Sequence, residues 1–319
     1  MRIPIIVISD KKLAFSVATL FVNLLETKNP DTFYELNALV TPGFDDTHIE
    51  KIKSIEKKYK GQCSINIIKM DTRFDNIKNQ TGYIANACAY KMCLGEMFPQ
   101  YKKAIYLDTD TIVFKDLTEM YNIDLEDNYI GGVFSLEHYI NRKDLLSILS
   151  LPNLYSYVNA GVLLFNLDLI RKENVEPQLH SLIGSYKDSV DQHIYNKVCY
   201  GKVKIMPLKY NVTQSTEKFY GSNLAYIYYT PNELKRHIED PVVYHYTGRC
   251  KPWKYNNLRY SIRWNYYYAM TPFYNKYLKL DEYSCSVCNC SKEEKISLKT
   301  KIKNKLKKMK KFRSITYKF

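Results

Sequence analysis

"IYLDTDTIV", residues 105–113, runs from apolar to acidic and back to apolar, and it sets two carboxylates where a buried strand should end. On extended backbone the side chains at i and i+2 point the same way, so Asp108 and Asp110 are expected to approach one ligand together. Neighbouring carboxylates repel, and one protonates unless a cation lies between them. A divalent metal resolves that conflict. Oxygen ligands with positions left open for phosphate oxygens are what Mg²⁺ and Mn²⁺ use in phosphate chemistry. The triplet alone equally fits a turn with two solvated carboxylates.

The flanking sequence places the triplet in an α/β chain. "IPIIVISD" reads as a strand ending at Ser9 and Asp10, and "LAFSVATLFVNLLE" has apolar residues at helical spacing. "YELNALV", "DDTHIEKIKSIEKKYK" and "SINIIKM" continue as strand, helix and strand, residues 81–98 as a helix closed by Pro99, and "KAIYLDTDTIV" as one further strand. "IGGVFS" is a strand, "RKDLLSILSL" a helix, and "DQHIYNKVC" begins another helix. The alternation predicts a largely parallel sheet with helices on its faces. Ligands of such sheets sit at the carboxyl ends of the strands, which puts Asp10 and the Asp108/Asp110 pair in one crevice. Gly161, inside the apolar run "YVNAGVLLFNLDLI", marks a close backbone approach.

Length and charge narrow the function. A chain of 319 residues with 45% apolar content supports a real core, and 30 tyrosines suit walls that bind sugars. The net charge is +14, yet residues 292–319 hold twelve Lys and Arg against two Glu, so about +4 is left for the rest. That segregation argues against a nucleic-acid cradle. No apolar run reaches the length of a membrane helix, and the N-terminal apolar run is too short for a signal peptide, so the chain reads as cytoplasmic. Cys63, Cys88, Cys93, Cys199 and Cys250 are scattered and expected reduced.

A second cluster, "HYTGRCKPW", lies more than a hundred residues beyond the acidic pair. His245 offers an imidazole nitrogen, Gly248 lets backbone approach a phosphate, and Lys251 offers a cation. With Asp108 and Asp110, His245 makes a mixed oxygen and nitrogen set that suits Mn²⁺ better than Mg²⁺. A sugar diphosphate leaves as a dianion, so a metal plus Lys251 can stabilise its departure without a general acid.

"IYLDTDTIVFKDL", "VNAGVLLFNL", "DQHIYN" and "HYTGRCKPW", in this order over residues 3–275, resemble the family 8 glycosyltransferases, which include bacterial lipopolysaccharide galactosyl- and glucosyltransferases and are related to glycogenin. The resemblance implies a GT-A fold, a UDP-hexose donor, Mn²⁺ with Mg²⁺ as the alternative, and retention of anomeric configuration. By the same resemblance Asp108, Asp110 and His245 are metal ligands, and Gly248 and Lys251 contact the diphosphate. Asp10, with Ile8 before it, lies against uracil, and Thr109 belongs to the donor contacts. Asn159, Ala160 and Gly161 lie beside the donor sugar, and Asp191 and Gln192 near the anomeric carbon. Two departures stand out. Lys91 replaces a frequent Arg, keeping the charge without the bidentate fork, and Ser135 replaces an acidic residue of some galactosyl members.

Simpler readings stay open for the secondary residues: Asn159 satisfying a buried turn, Asp191 capping a helix, Lys91 solvated on one. Retention through a covalent intermediate needs a carboxylate at the anomeric carbon. Gln192 is a poor nucleophile, which favours attack by the acceptor on the face the diphosphate leaves.

The expected organisation is a catalytic domain over 1–255, an aromatic and Cys-containing α-helical region over 256–291, and a basic amphipathic tail over 292–319. Cys285, Cys288 and Cys290 make half of a zinc site with no second half, so free thiols are expected. Leu298, Ile302, Leu306 and Met309 form one apolar stripe among lysines, which fits an interfacial helix on an anionic membrane. The combined expectation is a hexosyltransferase on the inner face of the cell membrane, acting on a glycan or lipid-linked acceptor in lipopolysaccharide or other surface polysaccharide synthesis. A metal-dependent nucleotide-diphosphate-sugar hydrolase and a non-catalytic membrane or nucleic-acid-binding protein are the competing classes.

Overall fold

The computed structural model describes residues 1–74, 86–186, 190–218 and 227–275. Strands β1 (Arg2–Ser9), β2 (Phe33–Val40) and β3 (Cys63–Lys69) alternate with helices α1 (Ala14–Thr27) and α2 (Asp46–Lys58). There follow β4 (Lys103–Leu107), β5 (Thr111–Val113), β6 (Ile130–Phe134), β7 (Val158–Asn166), β8 (Val203–Ile205), β9 (Val212–Thr213) and β10 (Val243–His245). Seven strands form one sheet in the order β3-β2-β1-β4-β7-β6-β8, and β5-β10-β9 form a second. The large sheet is parallel except for β7, which runs against both β4 and β6. This is the α/β architecture with a mainly parallel sheet that the alternation predicts.

Residue alternation along the strands explains two cores. Ile3, Ile5 and Val7 of β1, with Ile105 and Leu107 of β4, face α1, while Ile6, Ile8, Ala104 and Tyr106 face the other side. Both faces are covered, so β1 is apolar at nearly every position instead of alternating with polar residues.

Three elements differ from the sequence expectation. The single strand over 103–113 is broken: β4 ends at Leu107 and β5 starts at Thr111 in the other sheet. Periodicity cannot reveal this break, because both halves are apolar and β5 owes its place to pairing with β10, about 130 positions later. Within the helix expected over 81–98, Asn86–Cys93 is a 3-10 helix followed by one α-turn, Leu94–Met97, and residues 81–85 lie outside the described residues. With three residues per turn, i and i+3 eclipse, which aligns Cys88 with Lys91. The helix read from "RKDLLSILSL" is one turn, Leu145–Ile148, with positive φ at Ser150 just beyond it.

The aromatic stretch after β10 forms the helix Ser261–Tyr268. Trp264 is buried, stacks on Tyr268 with centroids 5.6 Å apart, and meets Phe15 of α1 edge-on at 6.2 Å. Trp253 leans on Trp264 at 5.5 Å. These tryptophans are therefore packed against the core and do not wall an open site, whereas Tyr274 is half exposed. The "CSVCNC" cluster and the basic tail lie outside the described residues. The five cysteines in the described part are free thiols.

Candidate active site

Asp108 and Asp110 meet at the junction of the two sheets. The Asp108 N–H donates to the Gly161 carbonyl at 2.7 Å, the last bond of the β4–β7 pairing, and the Thr111 N–H and hydroxyl then fold back onto the Asp108 carbonyl at 3.2 and 2.8 Å. The carboxylates thus converge through a turn, and not through the extended i, i+2 geometry expected from the triplet. Ser16 holds the Thr109 carbonyl at 2.6 Å, and the Tyr246 N–H holds that of Asp110 at 3.0 Å. β10 pairs antiparallel to β5 with His245 opposite Thr111, which delivers the imidazole to both acids.

His245 Nε2 lies 3.2 Å from Asp110 Oδ1 and 3.6 Å from Asp108 Oδ2, and one ligand atom from each residue fits within a 4.8 Å cluster. Asp110 Oδ1 is buried with no hydrogen-bond partner among the described residues. A buried charged oxygen without a hydrogen bond is costly, and a cation in this gap would satisfy it. The donor set, two carboxylates and one imidazole, fits a divalent metal. Gly161 keeps the gap open: a Cβ there would stand 2.1 Å from His245 Cε1 and 2.6 Å from Asp108 Oδ2. The close approach expected at this glycine is therefore to the acidic turn and His245.

Lys251 donates to Asp110 Oδ2 and, at 2.6 Å, to the Tyr246 carbonyl. Burial alone would raise the Asp110 pKa, but the charges of Lys251 and His245 outweigh it and hold the carboxyl below its ordinary range. Gly248, three residues earlier, has φ +72°, a left-handed conformation that suits glycine.

A second charged cluster lies beside this one. Lys91 is buried, not solvated: its ammonium pairs with Asp191, donates to the Ala160 carbonyl at 3.0 Å, and sits 4.0 Å from the centre of the Tyr106 ring. Asp108 Oδ1 is 3.7 Å from Lys91 Nζ and accepts from the Tyr106 hydroxyl at 2.6 Å. Burial would lower the Lys91 pKa, but Asp191 and Asp108 more than reverse that, so the ammonium stays charged. Gln192 Oε1 accepts from Asn159 Nδ2 and from the Ala160 N–H, each at 3.1 Å, and its Nε2 reaches the Tyr157 hydroxyl at 3.1 Å and His138 at 3.2 Å.

Other expected site residues stand nearby or turn to local tasks. Ile8 packs in the core with Tyr106, and Asp10 caps the short turn after β1 by accepting from the Leu13 N–H at 3.2 Å. Thr109 is buried, and Ser135 bonds His138 Nδ1 at 2.8 Å. Sequence reasoning missed Tyr106, His138 and Asn211. Tyr106 could have been found, since it sits two residues before Asp108 at the end of β4, and its hydroxyl donates to that carboxylate. Asn211 precedes β9 and meets His245 only because β9 pairs with β10, and no local pattern announces that.

An α/β fold with an acidic pair, a histidine and a lysine at its strand ends defines a class, and comparison with known proteins specifies it. The family model for glycosyl transferase family 8 matches residues 4–257, and the chain belongs to that family. The expectation of a sugar-transferring enzyme is thereby met at the level of the family. The chain is 30% identical over 146 residues to a Haemophilus influenzae protein named for glycosyltransferase activity, a match covering 45% of this chain and 44% of that protein. It is 20% identical to general stress protein A of Bacillus subtilis, over 82% of this chain and 91% of that one. It is 26% identical to an Escherichia coli lipopolysaccharide 1,2-glucosyltransferase, over 75% and 68%. The crystal structure of the galactosyltransferase LgtC with donor and acceptor sugar analogues superposes with a TM-score of 0.73 at 22% identity, covering 86% of this chain and 98% of that one, which shows the shared GT-A fold.

Proposed function

We propose that the protein is a retaining, divalent-metal-dependent hexosyltransferase that moves a hexose from UDP-glucose or UDP-galactose to a glycan or lipid-linked acceptor. The observation that carries this reading is the meeting of Asp108, Asp110 and His245 beside Lys251, with Asp110 Oδ1 buried and without a hydrogen-bond partner among the described residues. Asp108, Asp110 and His245 are the residues that would hold Mn²⁺, or Mg²⁺ in its place. When bound, the ion supplies Lewis-acid stabilisation of the departing diphosphate.

The chain's own residues do the rest. Lys251, which pairs with Asp110, offers its ammonium to the diphosphate. Gly248 supplies the left-handed backbone of the loop that borders the diphosphate. Asp10 and Ile8 border the base, and Thr109, Asn159, Ala160 and Gly161 border the donor sugar. Lys91 pairs with Asp191 and fixes it at the sugar end of the crevice. Gln192 has its amide oxygen taken by two donors, so it orients and does not attack. Attack by the acceptor hydroxyl on the face the diphosphate leaves follows as the retaining route. Accumulation of a glycosylated protein with a slow fluorinated donor would contradict it.

The name of the Escherichia coli relative supports a role in lipopolysaccharide or related surface glycan synthesis. Among the described residues no helix is long and apolar enough to cross a membrane. Attachment to the inner face of the membrane is assigned to the basic tail over 292–319, and vesicle flotation that ignores anionic lipid would contradict it. The test of the whole reading is UDP release across UDP-glucose, UDP-galactose and UDP-N-acetylhexosamines, with Mn²⁺ added or chelated. One preferred donor with metal dependence is expected, and a flat, metal-independent panel contradicts the reading.

A further inference from the structure

We infer that Asn211 is a positioning residue that fixes the tautomer of His245, holding a proton on Nδ1 and leaving Nε2 as the nitrogen turned to Asp108 and Asp110. The use of that nitrogen by a metal rests on the function proposed above, whereas the tautomer itself does not.

The inference follows from the polarity of a row of amides. A side-chain amide can face either way, but a backbone N–H only donates. The Ala160 N–H donates to Gln192 Oε1 at 3.1 Å, and the Gly161 N–H donates to Asn159 Oδ1 at 3.0 Å. These two anchors orient the row. Asn159 Nδ2 donates to Gln192 Oε1 at 3.1 Å, and Asn159 Oδ1 accepts from Asn211 Nδ2 at 2.9 Å. The atom Asn211 turns to His245 is therefore its oxygen, 3.2 Å from Nδ1.

An oxygen at that place accepts, so Nδ1 carries the proton. Reversing the Asn211 amide would set its oxygen against Asn159 Oδ1 and its NH₂ against Nδ1–H, losing both bonds. Asn211, His245 and Gln192 are all buried, so water does not compete for these groups. The same row runs from Gln192, at the proposed sugar end, to His245, at the proposed metal end, so one polarity serves both.

The test is ¹⁵N NMR of protein labelled at histidine, with His245→Gln assigning the signal among the six histidines. The wild-type protein is expected to show a proton on His245 Nδ1. Asn211→Ala is expected to populate the opposite tautomer and to weaken Mn²⁺ binding, read by electron paramagnetic resonance, about tenfold or more. Asn211→Asp keeps an acceptor before Nδ1 and is expected to restore the wild-type tautomer.

Wild-type His245 protonated at Nε2 and bare at Nδ1 overturns the inference, and this measurement needs no variant to fold. An unaltered tautomer in Asn211→Ala overturns it as well. A wild-type protein that keeps the Nδ1 proton yet binds no Mn²⁺ supports the positioning role and contradicts the metal reading.

Discussion

Lys91 and Asp191, a hundred residues apart, form an ion pair whose cation is buried and whose carboxylate lies at the edge of the crevice. Asp108 is the second acid near the same ammonium, at 3.7 Å. Removing the cation strands both acids. Lys91→Met is expected to destabilise the protein by about 3–5 kcal/mol, the usual cost of breaking a buried pair from one side, as read by chemical denaturation. Because Asp191 and Asp108 raise the Lys91 pKa above its ordinary 10.5, the contribution is fully present below that value and is lost as pH rises through the higher folded one. The gap between wild type and variant should therefore be constant across neutral pH and close only in strong alkali.

Asp110 has the opposite linkage. Its folded pKa lies below the ordinary 3.8, so the stability it contributes is present above that value and is lost as pH falls through the folded one. Denaturation of wild type and Asp110→Asn from neutral pH into acid should show a difference that shrinks once pH drops below about 5. A difference that is flat into strong acid would show that the Asp110 charge is not held by Lys251 and His245.

Gly161→Ala tests the close approach at the acidic turn. The added methyl meets His245 and Asp108 well inside contact distance, so one of them must move. A cost of about 1–3 kcal/mol is expected from overpacking, together with loss of Mn²⁺ binding. Unchanged Mn²⁺ affinity in a folded variant would remove Gly161 from the site.

Gly248→Ala isolates backbone conformation, because a Cβ at this position meets nothing within 4 Å. The left-handed φ makes alanine cost about 1–2 kcal/mol. With no lost contact to account for, a rise in KM for the donor is the expected kinetic effect, while unaltered kinetics would take the loop out of diphosphate binding.

What the sequence made legible was local. The apolar run of β1 ending at Asp10, the periodic α1, and Gly161 within an apolar strand each carry their signal within a few residues. The acidic triplet was legible as a pair but not as a turn, since the break between β4 and β5 depends on β10. Lys91 reads as an ordinary lysine in a helical pattern, and only the 3-10 winding with β7 alongside makes it a buried counter-ion for two acids. Asn211 was invisible for the same reason: its partner His245 is 34 positions away, and a parallel strand pairing brings them together. The Trp253 and Trp264 rings lie in the core through their packing against Phe15, a contact between residues more than two hundred positions apart.

The central claim is that Asp108, Asp110 and His245 hold one divalent cation on which a nucleotide diphosphate rests. Mn²⁺ binding followed by electron paramagnetic resonance, with and without UDP, tests it most directly in wild type and Asp110→Asn. The account predicts one Mn²⁺ per chain, bound more tightly when UDP is present, and loss of that site in the variant. Wild-type protein that binds no Mn²⁺, or a variant that binds it as tightly as wild type, would contradict the claim.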